Sequence, residues 1–249
     1  MIAPVLLAYL LRLLPGVVVL VLFLLVLPRK LVEFRLLAYV FLFLLCRDAM
    51  TPRGLWGITP DVVIRLSRDP AVLVLLGVVS VAAVFLINFT EPELGRLFVW
   101  FKGNAGVGVL SGTAAGFLVA VPVLLYQRTL PPEAQGQPVP RANLVPLFWF
   151  CLTGNFLEEA LFRGYFQGYL ERHVTLLRAA LLSGVFFSAC HVFLATTVTE
   201  VGWPLLVFTL YEGVVAGLVR SRFGVLASTL GHGGAIFLLA SGLFAHSRP

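Results

Sequence analysis

Four stretches of the chain, Val5 to Leu27, Ala71 to Phe89, Ala105 to Tyr126 and Phe223 to Phe244, each run for about twenty residues with no more than one formally charged side chain. A helix of about 20 apolar residues crosses the roughly 30 Å of a bilayer's hydrocarbon, and lipid leaves the backbone only two spanning solutions, helices or closed barrels. The runs show no alternation with a period of two, which excludes the barrel. An all-α, polytopic membrane helix bundle is the fold class that remains.

Further apolar runs, Leu31 to Cys46, Leu144 to Leu170, Leu176 to Thr197 and Trp203 to Val219, bring the expected number of transmembrane helices to about eight. Only 12% of residues are charged and 59% are hydrophobic, against about 25% charged in an ordinary soluble domain. The protein is therefore expected to be a multi-pass integral membrane protein, in the cell membrane if the source is bacterial. A net charge of +6 would suit nucleic acid if it were gathered on a soluble face. Here the basic residues are scattered among short loops, so their expected partner is the lipid headgroup and not nucleic acid. Loop charge gives conflicting orientations: Arg220 and Arg222 favour one parity, Arg47, Arg53, Arg65 and Arg68 the other.

A single integral-membrane domain over residues 1–249 is expected. The Pro-rich stretch Gln127 to Arg141 divides it into N-terminal spans with an interfacial loop (1–140) and a four-helix catalytic half (141–249). Within the first part, Leu55-Trp56-Gly57-Ile58 followed by Asp61 to Leu66 is expected to lie as an amphipathic piece at the interface, where Trp is favoured. Gly108, Gly112 and Gly116, four apart, line one helix face on which a neighbour can approach closely.

Polar chemistry concentrates in the second half. Asn155-Phe156-Leu157-Glu158-Glu159-Ala160-Leu161-Phe162-Arg163 places two acids and an arginine in apolar sequence, at roughly 2.5–3.5 kcal/mol per charge on insertion scales. Residues four apart share a helix face, so Glu159 and Arg163 can pair, while Glu158 is turned by about 100° and stays available. A carboxylate in a low-dielectric cavity suits a general base. The competing reading is that both acids hold Arg163 and pin adjacent helices. Phe187 and His191 share a face of a later helix, His232 lies among Gly231, Gly233 and Gly234, and Glu212 is mid-span, as a helix-packing or cavity-lining acid. Glu158, His191 and His232 are zinc-ligand types. No HExxH pair sets two ligands on one turn, so zinc is admitted by residue type but no metal or other cofactor is expected.

These residues resemble the CPBP family of intramembrane proteases, which includes the type II CAAX prenyl endopeptidases and bacterial proteins linked to bacteriocin immunity. The family pattern is EExxxR, then FxxxH, then HxxxN or HxxxD. Here it reads Glu158-Glu159 to Arg163, Phe187 to His191, and His232 followed by Ile236 in place of Asn or Asp. The resemblance covers roughly Asn143 to Phe244. It implies a glutamic-type intramembrane peptidase in which Glu158 and His191 activate a water, with Glu159 and Arg163 as the supporting pair. It also implies an oxyanion role for His232, which with Ile236 present would act alone or with a donor such as Asn155. The expected substrate is a peptide or protein cleaved in or beside the bilayer, at a membrane-associated or C-terminal site. The alternative is a non-catalytic membrane immunity or partner-binding protein on the same scaffold.

Overall fold

The computed structural model describes residues 3–131 and 134–244. Helix α1 (Ala3–Val26) is followed by α2 (Val32–Met50) and by a short antiparallel hairpin of β1 (Trp56–Ile58) and β2 (Ile64–Leu66). Then come α3 (Pro70–Thr90), the single turn α4 (Pro92–Gly95) and α5 (Ala105–Gln127). In the second half α6 (Leu144–Glu159) runs through a π-helical segment, Ala160–Phe166, into α7 (Gln167–Leu170). After it come α8 (Leu176–Ala189), a second π-helical segment at Leu194–Val198, α9 (Trp203–Phe223) and α10 (Val225–Ala240).

The protein is a multi-pass membrane helix bundle. Among the described residues six helical segments are long and apolar enough to cross a bilayer: Ala3–Val26, Pro70–Thr90, Ala105–Gln127, Arg141–Leu170, Leu176–Val198 and Trp203–Phe223. The other two expected spans differ for separate reasons. At 16 residues α10 is shorter, and α2 carries Glu33, Arg35, Arg47 and Asp48. The charges of α2 are answered inside the bundle. Arg35 pairs with Glu91 beyond the end of α3 and caps the carbonyls of Leu24 and Leu27 at the end of α1, while Arg47 turns inward at the opposite end of α2. Thus α2 packs beside α1 with Arg35 and Arg47 turned to partners within the protein.

Two sequence boundaries move outward because an arginine finds a buried partner. Arg47 belongs to the last turn of α2 and is no loop residue. Arg220 lies within α9, buried against Glu171, and the helix ends only at Gly224, whose φ of +89° and close approach to the Trp100 carbonyl admit no side chain. The Leu55–Leu66 segment folds as a hairpin whose Ile58 and Ile64 share a buried cluster with Val119, Ala120 and Leu239.

Lipid provides no hydrophobic drive between helices, so close packing of small residues and polar pairs must hold the bundle. Gly112 and Gly116 of α5 lie against the α10 backbone, as the spacing of four anticipates. Gly213 and Gly217 of α9 meet Gly184 and Ala180 of α8. A Cβ on Gly233 of α10 would stand 2.6 Å from the Cys151 carbonyl oxygen of α6. These contacts bring α6, α8, α9 and α10 close enough for their polar side chains to touch. The residues that do so lie between two apolar clusters: His191 follows Phe187 of one and precedes Leu194 of the other.

Candidate active site

Glu158 and Glu159 close α6 directly before the π-helical segment, and a widened turn of this kind is frequent at functional sites. Arg163 lies in that segment and keeps its partner one turn back, with Nη1 3.0 Å from Glu159 Oε1; both side chains are fully buried. The local pairing expected from the sequence is present. Glu159 has a second neighbour: His232 Nδ1–H donates to its Oε1 at 2.9 Å. One carboxylate thus joins α6 to α10 and orients the imidazole.

Glu158 points the other way, into a cavity. Its Oε1 lies 3.8 Å from His191 Nε2 and its Oε2 3.8 Å from His232 Nε2. That distance is too long for a direct hydrogen bond and short enough for one water to touch both groups. The histidines of the second and third motifs therefore flank the first-motif acid, one on each carboxylate oxygen. Glu212 joins them from α9, its Oε2 3.5 Å from His232 Nε2, so it lines the site and does not pair with Arg163.

Phe187 is the common wall. Its ring stacks over the Arg163 guanidinium at 4.2 Å and meets His191 and His232 with centroids 4.6 and 5.7 Å away. The FxxxH spacing puts it one helical turn before His191, whose Nδ1–H donates to the Phe187 carbonyl at 2.7 Å. This bond leaves Nε2 as the acceptor.

The acceptor is used by Arg47, which on sequence grounds counts only as a loop charge. Its Nη1 donates to His191 Nε2 at 2.8 Å and stands 3.5 Å from Glu158 Oε1. Its other nitrogens are held by Asp48 at 2.8 Å and by the Cys190 carbonyl at 3.1 Å. The signal for it in the sequence is an Arg-Asp pair at the end of an apolar run, which helix continuation buries. Asn155 borders the cavity, and one N–H of its amide donates to the Cys151 carbonyl at 2.6 Å, one turn back on its own helix. Ile236 borders the cavity too and offers no donor.

Among the described residues no group of three or more His, Cys, Asp or Glu side chains is arranged to hold a metal ion. Arg47 occupies the side of His191 that a metal ligand would have to present.

The cavity holds about 650 Å³ and is mainly apolar, within the usual range for a small-molecule site. Helix α1 contributes Tyr9 and Leu13, α2 Phe43 and Arg47, and the hairpin Ile58 and Ile64, opposite Glu158, His191, Glu212 and His232. The space thus joins an apolar chamber to one cluster of acids, imidazoles and a guanidinium.

No curated protein and no solved structure matches the chain. Residues 140–238 match the family described as Type II CAAX prenyl endopeptidase Rce1-like. That segment holds the three motif sites, and over it the chain is similar to this protease family.

Proposed function

We propose that the protein is a CAAX-type endopeptidase that hydrolyses a peptide bond near a lipid-modified C-terminus, using Glu158 as general base. The observation that carries this reading is the placement of Glu158, buried in the wall of an apolar cavity with an imidazole nitrogen 3.8 Å from each carboxylate oxygen. An apolar chamber of about 650 Å³ suits a prenyl chain, and the polar cluster suits the peptide bond beside it.

In this mechanism Glu158 accepts a proton from a water held among the three side chains while the water oxygen bonds to the scissile carbonyl carbon. The carbonyl π pair moves onto oxygen. Collapse of the tetrahedral intermediate returns that pair and breaks the C–N bond, and the leaving amine takes the proton from Glu158. General-base assistance of this kind is worth about 10²–10⁴ in rate. Glu159 and Arg163 support the site from behind by fixing His232, and the step uses no metal.

The test uses the purified full chain in detergent or nanodiscs. A quenched peptide ending in S-farnesylcysteine and three further residues should be cut after the modified cysteine, in the presence or absence of a chelator. The same peptide without the farnesyl group should be cut at least about tenfold less efficiently, given roughly 0.8 kcal/mol per buried CH₂. Intact farnesylated peptide after prolonged incubation would contradict the proposal and favour a non-catalytic partner-binding scaffold.

A further inference from the structure

Hydrolysis at Glu158 calls for a donor to the developing oxyanion, and the motif residues of the matched segment offer no charged donor that faces the cavity free of a neighbouring carboxylate. Ile236 has no polar side-chain atom, and one N–H of the uncharged Asn155 amide is given to the Cys151 carbonyl at 2.6 Å. His232 directs Nδ1–H to Glu159, and its Nε2 faces Glu158 Oε2 at 3.8 Å and Glu212 Oε2 at 3.5 Å. An oxyanion placed there would meet the Glu212 carboxylate. Arg163 is fully buried beneath Phe187, beside Glu159, and does not border the cavity.

Resting on the proteolytic reading above, we propose that Arg47, from α2 and outside the matched segment, is the catalytic residue that binds the oxyanion. Its guanidinium borders the same cavity as Glu158, His191 and His232. Two of its nitrogens are fixed by Asp48 and by the Cys190 carbonyl, and the third, Nη1, is aimed at the gap between His191 Nε2 and Glu158 Oε1. That nitrogen carries two N–H groups. His191 takes one, and the other serves the oxygen of a carbonyl attacked beside Glu158. When the carbonyl π pair shifts onto oxygen, the new negative charge forms against a permanently charged, preorganised donor. Collapse moves the pair back as the C–N bond breaks, and Arg47 neither gains nor loses a proton.

The experiment compares wild type, Arg47→Met and Glu158→Gln on the S-farnesylcysteine peptide. It also measures binding of two non-cleaved analogues, one with an aldehyde at the scissile carbonyl, which hydrates to a tetrahedral species, and one with the corresponding alcohol. Arg47→Met should lower kcat by about 10²–10³ with KM within about threefold. It should weaken the aldehyde by a similar factor and leave the alcohol unchanged. Equal weakening of both analogues would indicate a merely structural role and overturn the proposal. So would a kcat within about threefold of wild type while Glu158→Gln is inactive, a result that leaves the proteolytic reading standing. Undiminished turnover by Glu158→Gln would instead overturn that reading and the Arg47 role with it. Arg47→Gln, neutral but polar, gives the same comparison if the methionine variant does not accumulate.

Discussion

His232 Nδ1 lies 2.9 Å from Glu159 Oε1, across 73 residues of chain. The contact ties the first motif to the third and gives Glu159, itself fully buried, two cationic or proton-donating neighbours, Arg163 and His232. Glu158, one residue earlier, contacts neither Arg163 nor the Nδ1 of His232 and faces the cavity. A rotation of about 100° between neighbouring helical residues is enough to give two identical side chains different work.

Removing the Glu159 carboxylate should strip a buried guanidinium of its counter-ion, which typically costs about 3–5 kcal/mol. Glu159→Ala is therefore expected to unfold at clearly lower denaturant or temperature in detergent, whereas Glu158→Gln should stay near wild type. Equal stability of Glu159→Ala and wild type would mean that Arg163 finds another partner.

The α6–α10 approach depends on Gly233. A methyl group at this position would stand 2.6 Å from the Cys151 carbonyl oxygen and 2.9 Å from Leu152 Cα, so the helices must part. Gly233→Ala should lose about 1–3 kcal/mol of stability, and because it displaces His232 from Glu159, turnover should fall as well. At Gly234 a methyl group would meet no atom within 4 Å, so alanine there should change the unfolding transition little.

The Asn155 amide is engaged with its own helix backbone. Asn155→Ala is expected to keep kcat within about threefold, since the lost bond is worth only about 0.5–1.5 kcal/mol and lies in stability. A loss near 10²-fold, roughly the size associated with one oxyanion donor, would reassign that role to Asn155.

The amino-acid order makes the site partly legible. Glu158, Glu159, Arg163, Phe187, His191 and His232 declare themselves through costly polar groups at motif spacing, and the Glu159–Arg163 pair follows from helical periodicity alone. Arg47 does not, because its partners lie far along the chain: His191 is 144 residues away and is reached only through the packing of α2 against the second half. The same physics hides the hairpin, whose three-residue strands are too short to show a period. It also hides the true ends of α2 and α9, where buried ion pairs let an arginine continue an apolar helix.

The most direct measurement is the turnover of Glu158→Gln on the farnesylated peptide, made on protein shown by its unfolding transition to be as stable as wild type. A carboxamide preserves the shape of the side chain and cannot take the proton from water. The expected result is a fall in kcat of at least about 10²–10⁴ with peptide binding retained. Wild-type turnover by the folded variant would contradict Glu158 as the base.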